Sequence, residues 1–320
     1  MRNIIKKSFY SLAFMAGLIV LLLVASQIVM PKNNTAKDGI KDPLANGFLG
    51  EGKNTIDVLV LGDSEAFCAF IPLKIWQDYG ITSYICSTIG QQLWYSEEFL
   101  HKAFRRQSPK IVVLETDAIF RDFGNKDVIA QKAESVFSVF GYHNRWKTLN
   151  SKDWSLTVNY SHVEKSKGYL YSTIVSPASM DGYMKASQKK EAIPQRNIRY
   201  IKDFQAFCNK NGAKLILISS PSTVNWNSMR HNSIKEISEK LNVEYIDMNL
   251  MHEQIPIDWE KDTRDKGDHM NHNGAMKVTS YLGKYLSESG LFTDHRQDKQ
   301  YRHWNTIVEE FNKATSDALK

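Results

Sequence analysis

From the N-terminus the chain presents one unbroken apolar stretch, then a polar interval, then short apolar runs alternating with segments of helical periodicity. Residues 11–30, SLAFMAGLIVLLLVASQIVM, carry no charge. About 20 such residues, rising 1.5 Å each, cross a hydrocarbon core of about 30 Å. Further on, the runs at 55–61 (TIDVLVL), 81–86, 111–114, 214–219 (KLILIS) and 243–247 are short and rich in β-branched residues, which predicts buried strands. Between them, 72–79, 95–106, 197–211, 232–241 and 274–289 show helical spacing, with Pro72 at a first turn and Gly80 and Gly212 as stops. Strands separated by helices predict an α/β fold, a parallel sheet with helices on both faces. Residues 121–193 interrupt the alternation with aromatic and polar residues and are expected to form an insertion over the sheet, lining part of a cleft.

The flanks of the apolar stretch set the topology. Arg2, Lys6 and Lys7 precede it, so the positive-inside rule puts residues 1–10 in the cytoplasm and the chain beyond residue 31 outside. A cleaved signal peptide has a shorter apolar region and a small-residue cleavage site; QIVMP is a poor one, and residues 11–31 are expected to remain as a signal anchor. Residues 32–54 read as a linker, 55–292 as the α/β domain and 293–320 as a C-terminal helical extension. The net charge of +6 arises from 41 basic and 35 acidic residues without a basic block, so no nucleic-acid partner is expected. Three scattered cysteines, Cys68, Cys86 and Cys208, are too few for a disulfide framework or a structural zinc site.

Two motifs carry the candidate chemistry. The first is Leu61-Gly62-Asp63-Ser64, which follows the first strand and opens a helix. Ligands of open α/β sheets bind at the carboxyl ends of strands, so Ser64 lies where chemistry is done, with backbone N–H groups suited to an oxyanion. Asp63 or Ser64 would also serve simply as a helix cap, and the tetrapeptide leaves both readings open. The second motif, DKGDHMNHNG over 265–274, precedes the last helix of the domain. It combines a histidine of near-neutral pKa with carboxylates able to orient it, as a serine nucleophile requires. A polar loop capped by Asn271 or Asn273 is the plainer reading. His269 and His272 at i, i+3 do not make a strong zinc signature, so no metal and no cofactor is expected.

Together these residues resemble the SGNH, or GDSL-type, esterases and acyl-transfer enzymes over about residues 55–290. The blocks that match are VLVLGDSEAF, with Ser64, and the His-x-Asn-x-x-Gly run at His269, Asn271 and Gly274. The resemblance implies a flavodoxin-like three-layer sheet, Ser64 as nucleophile and His269 as base. It also implies an oxyanion site formed by the N–H groups of Ser64 and Gly90, although Gly90 equally suits an ordinary turn. The family's orienting aspartate lies three residues before the histidine, where this chain has Lys266. Asp265 is the expected substitute and Asp268 the second choice, since neighbouring side chains in an extended segment point apart. Where the family has an oxyanion asparagine this chain has Glu115-Thr116-Asp117, and an ionised Asp117 cannot donate a hydrogen bond. Either Asp117 is protonated, another donor serves, or the oxyanion site is incomplete. The implied function is a membrane-anchored, extracytoplasmic serine esterase or O-acyltransferase acting on acyl groups of a cell-surface glycan. The alternative is a catalytically weak or inactive protein of the same fold that binds envelope polysaccharide or assists its assembly. Trp146, Trp154, Tyr160, Tyr169 and Tyr171 are candidates for stacking on sugar rings or for the core.

Overall fold

The computed structural model describes residues 2–318. Met1 and residues 319 and 320, the outer ends of the expected cytoplasmic tail and C-terminal extension, lie outside the described residues. In chain order the elements are α1 (Arg2–Val29), β1 (Val58–Gly62), α2 (Ser64–Ala69), α3 (Pro72–Tyr79), β2 (Ser83–Ser87), α4 (Leu93–Phe104), β3 (Ile111–Glu115), α5 (Asn125–Val136), α6 (Val139–Tyr142), α7 (Gln195–Lys210), β4 (Lys214–Ser219), α8 (Ser228–Leu241), β5 (Glu244–Asp247), α9 (His272–Glu288) and α10 (Arg302–Ala318). They form two compact units: Met1–Pro43 with Phe123–His162, and Leu44–Asp122 with Val163–Lys320.

The second unit is built on one sheet of order β2-β1-β3-β4-β5, with every neighbouring pair parallel. This is the flavodoxin-like order, with its switch point between β1 and β3. The register keeps the carboxyl ends nearly level: Gly62 faces Ser87, Leu61 faces Leu114, and Glu115 faces Ile218. The loops after β1, β3 and β4 therefore emerge along one edge. All residues of β1, β2 and β3 are buried, which is why these strands read as continuous apolar runs rather than alternating ones.

Strand and helix positions fall close to the expected ones, with one informative exception. Helix α8 begins four residues before the expected start, because the Asn227 side chain accepts from the N–H groups of Met229 and Arg230 and caps a polar first turn. Residues 44–54, expected as linker, instead belong to the sheet unit: Phe48 and Glu51 are buried, and Glu51 Oε1 pairs with Lys167 Nζ at 2.6 Å. Lys167 Nζ also lies 4.5 Å from the ring centre of Trp304, a fully buried residue of α10 that packs on Trp76 of α3.

The expected insertion is divided between the two units. Residues 163–172 run against the sheet unit, where Ile85 N–H donates to Lys167 O, Leu170 N–H to Phe67 O, and His272 N–H to Ser172 O. Tyr169 is accordingly a core residue, with its hydroxyl 3.1 Å from His272 Nδ1. Residues 123–162 belong instead to the unit of α1, where Trp146 and Trp154 are two-thirds exposed. Helix α1 itself is long and apolar enough to cross a membrane, and little of its apolar window is buried by protein.

Candidate active site

Ser64 occupies the first position of α2, directly beyond β1. Gly62 makes this turn possible: with φ of 155° it lies so close to β3 that a Cβ would sit 2.6 Å from Cβ of Glu115. The helix is capped by Asp63, whose Oδ1 accepts from Glu65 N–H at 3.1 Å, so Ser64 is left free of the capping role. Capping and candidate chemistry thus fall on adjacent residues.

The histidine loop is shaped by a reversal at Lys266 and Gly267, with φ of 62° and 92°. A Cβ on Gly267 would meet Thr223 Oγ1 at 2.0 Å, so glycine is required both by conformation and by packing. The reversal returns Asp265 to His269: Oδ1 accepts from His269 N–H and Oδ2 lies against the ring Nδ1, both at 2.7 Å. Asp268 Oδ2 is 3.5 Å from the same nitrogen, while its Oδ1 accepts from Asn225 Nδ2 at 2.5 Å. With Nδ1 committed to Asp265, the remaining ring nitrogen is Nε2. It is buried and has no hydrogen-bond partner among the described residues, so the Ser64 hydroxyl does not bond it in this conformation. Catalytic hydrogen bonds are often long in free enzymes and tighten when substrate binds.

The oxyanion expectations resolve unevenly. Gly90 lies in the turn after β2 with φ of 61° and open space beside its Cα. Asp117 is no donor here: its two oxygens accept from Arg121 Nη2 and Arg230 Nη1. Arg121 also donates through Nε to Asp63 Oδ2 at 2.7 Å, linking the loops after β1 and β3, and Arg230 reaches Glu191 Oε1 at 2.9 Å. The site is therefore an ionic network laid over a buried carboxyl cluster. Burial, with the neighbouring charges of Glu115 and Asp63, pushes the Glu65 carboxyl well up. Burial and the charge of Asp63 do the same to Glu115. Asp63 is pushed to about 7 by burial and by Asp117, against the pull of Arg121. A proton held on such a group removes the negative charge that would otherwise oppose an oxyanion beside Ser64.

Several members of this network were missed in the sequence. Arg121 follows Asp117 by four residues, a spacing that signals a local ion pair. Asn225 and Arg230 have no local signal, because the loop after β4 reaches the histidine turn, and the first turn of α8 reaches Asp117, only in three dimensions. There Ser222 Oγ donates to the carbonyls of Gly267 and Asp268, and Asn225 Nδ2 spans Asp268 and Glu65. Among the described residues, one potential ligand atom each from Glu65, Asp268 and His269 lies within 4.8 Å of the others, a grouping that could hold a cation. His272 is not part of it. Asn271 caps α9 by accepting from Asn273 and Gly274, which accounts for the asparagine of the second motif.

No protein-family profile matches the chain, and no curated protein matches it in sequence. The chain is similar to solved structures of lipases and esterases. A lipase/acylhydrolase from Enterococcus faecalis is 12% identical, with 73% of this chain and 97% of that one covered and a TM-score of 0.36. The psychrotrophic esterase EstA from Pseudoalteromonas is 11% identical, with 73% and 97% covered and a TM-score of 0.37. A GDSL-like lipase from Bacteroides thetaiotaomicron is 10% identical, with 72% and 88% covered and a TM-score of 0.35. Likeness at this level says nothing of the site, whose reading rests on its own geometry.

Proposed function

We propose that the protein is a membrane-anchored serine esterase or O-acyltransferase that acts on acyl groups of a cell-surface glycan. The observation that carries this reading is the bond from His269 Nδ1 to Asp265, at the same sheet edge from which Ser64 projects. A carboxylate on Nδ1 fixes the tautomer that leaves Nε2 able to accept a proton. In the reaction, Ser64 Oγ attacks the acyl carbonyl carbon while His269 Nε2 takes its proton. The oxyanion faces the N–H groups of Ser64 and Gly90. Collapse expels the sugar alkoxide, which takes the proton from His269, and leaves an acyl-Ser64 ester. Water or a second hydroxyl then attacks that ester, with His269 again as base. The apolar helix α1 and the basic residues at its N-terminal end support an anchor with both globular parts outside the cell.

A second reading has its own support. The unbonded Nε2 of His269, together with the engagement of Asp117 by two arginines, fits a protein that keeps the fold and binds an acylated polymer without cleaving it. Labelling of the full chain by a fluorophosphonate separates the two, since only an activated serine reacts. We expect labelling that is lost in Ser64→Ala, accompanied by hydrolysis of p-nitrophenyl acetate. An unlabelled, folded parent protein would favour the binding role.

A further inference from the structure

Within residues 140–156 of the unit that contains α1, four large apolar side chains lie on the outside. Leu156 is 83% exposed, Trp154 67%, Trp146 66% and Phe140 50%. The chain beside each is tied by polar bonds to the last turn of α1. Gln27 Nε2 donates to Leu156 O at 3.1 Å, beside Trp154, and Ser26 Oγ accepts from Val139 N–H at 3.1 Å, beside Phe140. Arg145, the neighbour of Trp146, donates through Nη1 to Val29 O and through Nη2 to buried Asp153. These bonds satisfy the polar groups of residues 26–29, where the apolar stretch ends, and hold the four side chains at the level of that end.

A helix that spans the bilayer leaves its last turn at the border of hydrocarbon and headgroups. Tryptophan is favoured at that border because its ring is apolar and its N–H polar, and lysine because its stem is apolar and its head reaches water or anionic headgroups. Both tryptophans carry a nearby exposed lysine: Lys147 follows Trp146, with Nζ 5.9 Å from its ring centre, and Lys152 lies two residues before Trp154. An exposed apolar cluster of this kind on a soluble surface would be an association hazard, whereas against lipid it is in its proper solvent.

We propose that Phe140, Trp146, Trp154 and Leu156 form a collar that beds in the headgroup layer around the exit of α1, so that residues 123–162 form a lipid-contacting foot. The proposal rests on α1 being a spanning helix. It assigns Trp146 and Trp154 to lipid and leaves sugar binding to other residues. A collar fixed to the last turn of α1 limits tilt and rotation of the anchor, which a flexible linker would not do.

The test uses the full chain in phosphatidylcholine vesicles, with one lipid preparation brominated high on the acyl chains. Bromine should quench part of the tryptophan emission, and Trp146→Phe/Trp154→Phe should remove most of that quenching while leaving the thermal transition nearly unchanged. Undiminished quenching in the double variant, with the protein still resistant to carbonate extraction, would overturn the collar and leave the anchor standing. Extraction of the parent protein by carbonate would overturn both. Ready quenching of both tryptophans by aqueous acrylamide in vesicles would also overturn the collar.

Discussion

Trp304 and Trp154 lie in the two units and could hardly be placed more differently. Trp304 is fully buried among Trp76, Tyr301 and the ammonium group of Lys167, whereas Trp154 stands two-thirds exposed on a short 3-10 turn. The sheet unit buries the apolar side chains of its strands and gathers its candidate chemistry at one edge. In the unit of α1, Phe140, Trp146, Trp154 and Leu156 face out and the bonds to the helix end are polar. A reversed polarity of this kind is expected where the surrounding medium changes from water to lipid. The comparison teaches that exposure is meaningful only relative to the solvent a surface meets.

The predictions press on that difference, beginning with the site the sheet unit builds. We expect Ser64→Ala and His269→Ala each to abolish ester hydrolysis with little change in melting temperature, and the double variant to lose scarcely more, because the two act as one proton relay. Additive losses in steady-state kinetics would contradict a shared relay. Asp265→Asn should then lower kcat by about 10²–10⁴-fold by favouring the wrong imidazole tautomer. Asp268→Asn should cost under about tenfold, since its carboxylate lies at 3.5 Å and engages Asn225. The reverse order would hand the orienting role to Asp268.

Between the units, Trp304→Ala should destabilise the fold by about 3–5 kcal/mol, as expected for truncating a large buried aromatic. Trp154→Ala should stay within about 0.5 kcal/mol, the range for exposed positions away from special features. Denaturant melts of the full chain check both, and equal losses would erase the contrast between the two tryptophans.

The smallest effect concerns pH. Asp63, held at about 7 against an ordinary 3.8, contributes stability that is full below about pH 4 and is lost as pH rises through about 7. Asn at this position keeps the cap and cannot titrate. The melting temperature of the parent should therefore decline relative to Asp63→Asn across that interval. Parallel curves would show that the ion pair with Arg121 outweighs burial.

The sequence made much of the sheet unit legible because its signals are local. Runs such as VLVLG and KLILIS announce themselves as buried strands, Pro72 and Gly80 bracket a helix, and LGDS beyond the first strand marks the edge where ligands bind. Asp265 is the expected partner of His269 because adjacent side chains point apart, and the reversal at Lys266 and Gly267 brings its Oδ2 to 2.7 Å from the ring Nδ1. Helix caps were legible too, although Asp63 rather than Ser64 fills the first.

What lay beyond the sequence were pairings between distant segments. Nothing local says that Asn225 reaches both Asp268 and Glu65, that Arg230 closes on Asp117, or that Glu51 is buried against Lys167. The same holds for the division of residues 121–193, decided by which stretch hydrogen-bonds to β2 and α2 and which to the end of α1. The alternation of apolar and polar residues, a property of neighbours in the chain, determined the strands, the helices and the edge that carries Ser64. Which charges meet there, which carboxyls are driven upward by burial and which tryptophans face outward depend on distances set by packing, and only the tertiary structure decided them.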